Sequence, residues 1–380
     1  MTNTDHAQFT LELINDEAAL CALVNEWQIL ANSLPLQSPF ISPSWNILWW
    51  QHMRADRRLI HDQLHVLVMR DQQQQLRAVA PLIVSVRGDF GTGGIKVLQF
   101  FGADPNITEI RGPICRPEDA EQALTVTRRY LQKHNTAWDW IEWKGLSQQQ
   151  YDHLTSDGAQ AADTRVICYL PLPADWEALK SSLSRNMKEA IRKCFNTLRR
   201  NQHQTELRVI ENESHLGEAI ATFLRLHKHR AAHDDGVSHA DVFRDEKSQR
   251  FLAAYLQAAA SEGSLRLFQL YIDGQIVATR IGFLNQGQLY LYYSGYDTSW
   301  GGFSVMTTLV IHAIRWAIEQ GCVGVNLSTG IDYSKQRWQP QEIIQHGAVQ
   351  VSSHLTARLR FNTYQFLRSS PLINFLKRAR

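Results

Sequence analysis

The sequence is poor in cysteine, nearly balanced in charge and free of long apolar runs, and each absence removes a class of protein. Cys21, Cys115, Cys168, Cys194 and Cys322 are scattered without a CxxC pair. They frame neither a disulfide scaffold nor a zinc site, and they read as reduced thiols. His227, His229 and His233 lack a companion carboxylate or cysteine motif, so no metal is expected. A net charge of +2 is too small to argue for DNA binding. No run approaches the roughly 18 to 20 apolar residues that span a bilayer. The opening MTNTDHAQ lacks the basic-then-apolar layout of a signal peptide. A cytoplasmic protein is expected, or one peripheral to the inner membrane. No nucleophile elbow or cysteine nucleophile motif is present.

What is there is organised around Leu289 to Trp338. An aromatic strand, Gln288 to Tyr296, runs into Asp297-Thr298-Ser299-Trp300-Gly301-Gly302. Ser304 is placed to cap a helix that carries Val305, Met306, Leu309, Val310, Ile314, Trp316, Ala317 and Ile318, apolar around most of its circumference and so expected to be buried. Gly321 ends that helix, and Val323 to Leu327 form the next strand. A loop whose free amides meet a helix N-terminus favours an anion, which makes this a candidate phosphate seat.

The first half reads as a strand at Phe9 to Ile14, a helix over Asp16 to Ala31 and a second helix after Pro43. Strands follow at Leu64 to Arg70, Leu76 to Arg87 and Ile95 to Gly102, then a helix at Pro117 to His134. Strands at Trp138 to Trp143 and Arg165 to Leu170 complete it. The second half repeats the layout: strand Glu206 to Glu211, helices Leu216 to Ala232 and Arg244 to Glu262, then a hairpin through Asp273-Gly274. After the focal strand, helix and strand, Ala348 to Ser352 is a last short strand. Both halves therefore read β-α-α-β-β-β-α-β, a duplicated α+β domain.

Between them lies Trp176 to His203, one helix with Lys180, Arg185, Lys188, Arg192, Lys193, Arg199 and Arg200 against only Glu177 and Glu189. It reads as a solvated linker helix or as a basic face for an anionic partner. From Ile343 onward there is no acidic residue, while Arg358, Arg360, Arg368, Lys377, Arg378 and Arg380 interleave with aromatic and aliphatic side chains. That composition suits either contact with a membrane surface or packing onto the chain's own domain.

The element order resembles the GNAT acyltransferase fold. SPFISPSWNILWW, the basic Leu183 to Arg200 helix, FLRLHKHRAA, DGQIVATRIGF, YSGYDTSWGGFSVMTTLVIHAI and STGIDYSKQRW resemble the CelD/BcsL branch named for cellulose biosynthesis, double-GNAT proteins akin to FemAB aminoacyltransferases. Gly330, Lys335 and Arg337 match that branch's Gly-x-Glu-x-Tyr-Lys loop. Asp332 stands at its Glu position and Ser334 at its Tyr position, with Tyr333 alongside. TSWGGFS replaces the usual Arg/Gln-x-x-Gly-x-Gly/Ala phosphate loop. The resemblance implies two tandem GNAT folds: residues 1–172 a degenerate copy, 173–204 a basic linking helix, 205–355 the working copy, and 356–380 a basic amphipathic tail.

It also implies acetyl-CoA as co-substrate, its pyrophosphate held at Gly301, Gly302, Phe303, Ser304 and Val305. Acyl transfer needs a base for the acceptor, donors for the oxyanion and an acid for the leaving thiolate. Tyr293, Tyr296, Asp332 and Lys335 are the candidates for catalysis. Strict alternation along the strand sets Tyr290, Tyr292 and Ser294 on one face and Tyr293 on the other. Asp332 and Lys335, three apart, meet if they share a helical turn. His227, Arg230, Tyr292, Asp297 and Arg337 are candidates for binding the acceptor. The resemblance implies transfer to an amine or hydroxyl in polysaccharide or envelope-precursor synthesis. The alternatives are a FemAB-like transfer from aminoacyl-tRNA through the basic helix, and a non-catalytic scaffold of a biosynthetic complex.

Overall fold

The computed structural model describes residues 9–88, 94–233 and 239–369, with the side chains of residues 368 and 369 outside that description. One mixed sheet of 13 strands crosses the molecule. From the second-half edge its order is 205–210, 265–272, 275–285, 288–296, 324–329, 165–171, 341–351, 140–146, 95–100, 82–87, 60–64 and 56–57, with 160–161 paired to the flank of 341–351. A second sheet joins strands 10–14, 66–70, 76–80 and 114–115. The first half's closing strand, Arg165–Pro171, lies antiparallel to Gly324–Thr329 of the second half. The second half's closing strand, Gln341–Val351, lies antiparallel to Trp140–Leu146 of the first. Each half thus completes its sheet beside the other.

The halves also share a core. Trp45, on the helix Pro43–Met53, meets Phe251 and Tyr255 of the helix Glu246–Ser261 edge to face, at 5.0 and 4.6 Å between ring centres. Phe40 meets Tyr290 in the same way at 5.4 Å. Such aromatic pairs add to the stabilisation that burial of their area already provides. On the opposite face of the second-half sheet, helices Arg185–Arg200 and Val305–Glu319 pack through Met187, Ile191, Leu198, Leu309 and Ile314.

The hairpin at Asp273-Gly274 forms with both residues left-handed (φ 49° and 81°), the geometry of a tight turn that follows the strand twist. The structure departs from the sequence expectation in several places, the first being Leu76 to Arg87, which is two strands, Leu76–Ala80 and Leu82–Arg87, lying in different sheets. The Asp16 to Ala31 helix is two, Glu17–Ala22 and Val24–Asn32. The linker is also two, Trp176–Ser182 and Arg185–Arg200, because Leu183 is extended and Ser184 caps the second by accepting from the Met187 amide at 3.3 Å. A further helix, Gln148–Ser156, opens on a Ser147/Gln150 capping box. The last strand runs the full length of Gln341–Val351, held by Trp140–Leu146 and Arg165–Pro171 on its two sides. The tail, expected either at a membrane surface or packed onto the chain's own domain, is helical over Leu355–Ser369 and seats Phe361 on Trp140; Leu372 to Arg380 lie outside the described residues.

Gly295 sets how closely the helix Leu216–Ala232 approaches the sheet, since a Cβ there would lie inside the backbone of Leu226 and His227. Gly295→Ala is predicted to cost about 3 kcal/mol of stability, because close-packed backbone cannot yield to an added methyl. Gly301→Ala, facing open space, is predicted to be near neutral. Urea unfolding of the two variants beside the wild type checks both.

Candidate active site

The strands Gln288–Tyr296 and Gly324–Thr329 run parallel and pair only over Gln288, Leu289 and Tyr290 before they part. A wedge opens where backbone pairing stops. Glu109, from the first half, fills its root. Tyr290 donates its hydroxyl to Glu109 Oε2 at 2.5 Å, and Ser328 donates to Oε1 at 2.7 Å. Burial pushes the Glu109 carboxyl above its ordinary range, while these two hydroxyls and the charges of Lys335 and Arg280 pull it back in part.

The segment around Glu109 is stitched to the same strand by two more hydroxyls. Tyr292 donates to the Ile107 carbonyl at 2.5 Å and Tyr293 to the Asn106 carbonyl at 2.8 Å. Tyr292 and Tyr293 lie in one aromatic cluster, 4.6 Å apart, rather than on opposite faces. The reason is a β-bulge: Arg280 pairs with Ser294 and Gly282 with Leu291, so two tyrosines oppose the single residue Ile281.

Beside the wedge is a cavity of about 140 Å³ with a strongly cationic lining: Arg230, Arg280, Lys335 and Arg337, together with Ser294, Ser334, Met306 and Thr307. Arg280 is enclosed enough that burial and the neighbouring Arg230 charge lower it to about 10. Arg280 Nε and Arg337 Nη2 are buried with no hydrogen-bond partner among the described residues. Arg230 donates to Ser294 Oγ at 2.8 Å. Lys335 pairs with Asp332 at 2.8 Å and donates to the Thr329 carbonyl. The short helix Tyr333–Gln336 brings Asp332 and Lys335 together, with Asp332 Oδ1 accepting from the Ser334 amide at 3.0 Å. Arg337 rests its Nε on the Met187 sulfur. Met306 and Thr307 belong to the first turn of the helix Val305–Glu319, whose unpaired amides carry the positive end of the dipole. Cations and dipole together make this a site for an anion.

The remaining candidates fall into two groups. Gly301 and Gly302 are exposed and Val305 is buried, all outside the lining of the cavity, while Phe303 packs on His203 and Trp300. Ser304 occupies the cap position, but its left-handed backbone (φ 55°) keeps its hydroxyl from capping the helix. Asp297 instead closes the preceding turn, accepting from Ser299 N at 3.0 Å, and that contact with Ser299 holds its carboxyl low. Tyr296 is half-buried against the helix Val305–Glu319 cluster. Away from the cavity, His227 is buried: its Nδ1 lies 3.0 Å from the Ser294 carbonyl, and burial lowers its pKa. Glu109 and Arg280 were not singled out by sequence reading. Arg280 sits in the quoted DGQIVATRIGF motif, and a charge inside so apolar a strand was the available signal; Glu109 carried none.

Residues 185–338 match the family model of the acetyltransferase (GNAT) domain. Among solved structures, the chain is similar to FemX at 10% identity and TM-score 0.57, over 85% of this chain and 95% of that one. It is also similar to the C-terminal domain of a putative lysylphosphatidylglycerol synthetase from Agrobacterium fabrum, at 11% identity and TM-score 0.52, over 93% and 98% of the two chains. At such identities these likenesses show the fold alone. The fold is α+β, with mixed, mostly antiparallel strands flanked by helices, and residues 185–338 form its GNAT-type part. No curated protein matches the sequence.

A carboxyl raised by burial contributes stability in its neutral form, which is lost as pH rises through its folded value. The wild type is therefore predicted to lose stability relative to Glu109→Gln as pH rises above about 4.5, the ordinary value for Glu. Thermal melts of both proteins from pH 4 to 8 test this; parallel profiles would contradict it.

Proposed function

We propose that the protein is an acyltransferase that takes acetyl from acetyl-CoA and passes it to an amine or hydroxyl of a polysaccharide or envelope precursor. The observation that carries this reading is the cationic cavity at the first turn of Val305–Glu319, beside two parallel strands that part. An acyl-CoA lays its pantetheine arm along the wedge and its pyrophosphate against the amides of residues 301–305. Arg280, Lys335 and Arg337 supply the counter-charge.

The acceptor then attacks the thioester carbonyl directly, and the oxyanion forms beside the bulge, where a ladder position of the strand is left for another partner. Tyr296 stands near the helix and serves as the acid for the leaving thiolate. Asp332, held low by Lys335 and Ser334 against the effect of its burial, is ionised and serves the incoming acceptor as base. Tyr293, engaged with Asn106, positions the bulge, and Arg230, through Ser294, orients the acceptor. The cellulose-related assignment belongs to this proposal.

A second reading is transfer from aminoacyl-tRNA. The basic face of Arg185–Arg200 favours it: Arg192, Lys193, Arg199 and Arg200 are exposed while Met187, Ile191, Cys194 and Leu198 are buried. Its affinity would fall steeply with salt as phosphate counter-ions are released.

Calorimetry with acetyl-CoA separates the two. The first reading predicts one saturable site, weakened about tenfold or more by Gly302→Glu, which places a negative charge at the helix mouth in open space and leaves the packing alone. A folded wild type that binds no acetyl-CoA would overturn that reading.

A further inference from the structure

The first half repeats the geometry of the wedge. Its strands Ile95–Phe100 and Trp140–Leu146 run parallel, pair over Val97, Leu98 and Gln99, and then part. Where they part lies a second cavity, about 350 Å³, within the range of ligand sites. It differs in character from the first. Phe100, Phe101, Leu146 and Ile343 make its walls apolar, and among the described residues Arg111 is the only charged side chain in its lining.

Arg111 is an unusual residue in such a place. Among the described residues it makes no hydrogen bond and no ion pair. Burial lowers its pKa, and the charge of Arg165 adds to that, against the pull of Asp104, Glu142 and Asp163. The side chain is only partly buried and also borders a small polar recess lined by Glu109, Lys144, Asp163 and Arg165, so a guanidinium with no direct partner stands at one end of the apolar cavity, within reach of an anion that enters it. Its backbone is fixed there by close approach: a Cβ on Gly112 would lie 2.9 Å from the Lys144 carbonyl oxygen, at a φ of 156°. The segment that brings Glu109 to the first wedge also carries Arg111, two residues on, to the edge of this cavity.

We propose that this cavity binds the apolar chain of an anionic amphiphile, its carboxylate or phosphate head on Arg111. The walls desolvate the chain, and the arginine selects for charge at one end. Ile343 and Ile344, on the second half's closing strand, form part of the lining, so the ligand touches both halves. The inference concerns a cavity separate from the donor wedge, and neither depends on the other's occupant.

Dodecanoate, dodecyl phosphate and dodecanol are the probes, titrated calorimetrically into the full chain without any acyl donor. The two anions are expected to bind at one site, about tenfold or more tighter than the alcohol, and the tighter of the two identifies the head group. Arg111→Met should bring the three ligands to similar affinity. Leu34→Trp, at the half-buried mouth of the cavity, should weaken all three about tenfold with the melting temperature unchanged. The proposal is overturned if the wild type shows no saturable binding, if Leu34→Trp leaves binding intact, or if the preference for anions survives Arg111→Met. Failure of acetyl-CoA to bind would leave these outcomes unaffected.

Discussion

The structure depends on one docking contact, the seating of residues 104–111 from the first half against the tyrosine strand of the second. Three hydroxyls, on Tyr290, Tyr292 and Tyr293, donate to Glu109, Ile107 and Asn106 in succession. Asp104 anchors the start of the segment by accepting from Ile107, Thr108 and Trp49. Buried polar groups are costly unless each is paired, so this register is specified strongly: sliding the segment by one residue would strand a carboxylate and three phenols at once. The bulge at Tyr292 and Tyr293 belongs to the same constraint, because it turns both rings toward the segment that receives them.

From that contact the functional geometry follows. Glu109 fills the root of the wedge where the two parallel strands part beyond Tyr290, and its carboxyl, raised by burial, feels the charges of Lys335 and Arg280 at the edge of the cationic cavity. The first half is therefore part of the site's electrostatics as well as its support. The exchange of closing strands between the halves has the same effect at larger scale, since Arg165–Pro171 and Gln341–Val351 hold strands of both halves in one sheet.

Local chemistry made much of the fold legible in the sequence. Asp273-Gly274 specifies its turn, the apolar circumference of Val305 to Ile318 specifies a buried helix, and the strand Gln288–Tyr296 lies where its aromatic pattern placed it. Asp332 and Lys335 meet because three residues make about one helical turn. What sequence reading missed was non-local. Periodicity cannot show that a bulge will bring Tyr292 and Tyr293 together, nor that Ser304 will turn left-handed and leave its helix uncapped. A lone Glu in ITEIRGP gives no sign of the three hydroxyl contacts that bury its segment, because its partners lie some 180 to 220 residues away. The break at Leu183-Ser184 and the capping box at Ser147/Gln150 were missed as well, although their signals are local.

The central claim is that an acyl donor occupies the wedge with its phosphates at the start of the helix Val305–Glu319. Amide hydrogen exchange with and without acetyl-CoA tests it most directly. The account predicts slowed exchange at residues 301–308 and at Tyr292 to Ser294, with Val97 to Gln99 in the first half unchanged. Protection confined to the first half, or no change at residues 301–308 under saturating acetyl-CoA, would contradict it.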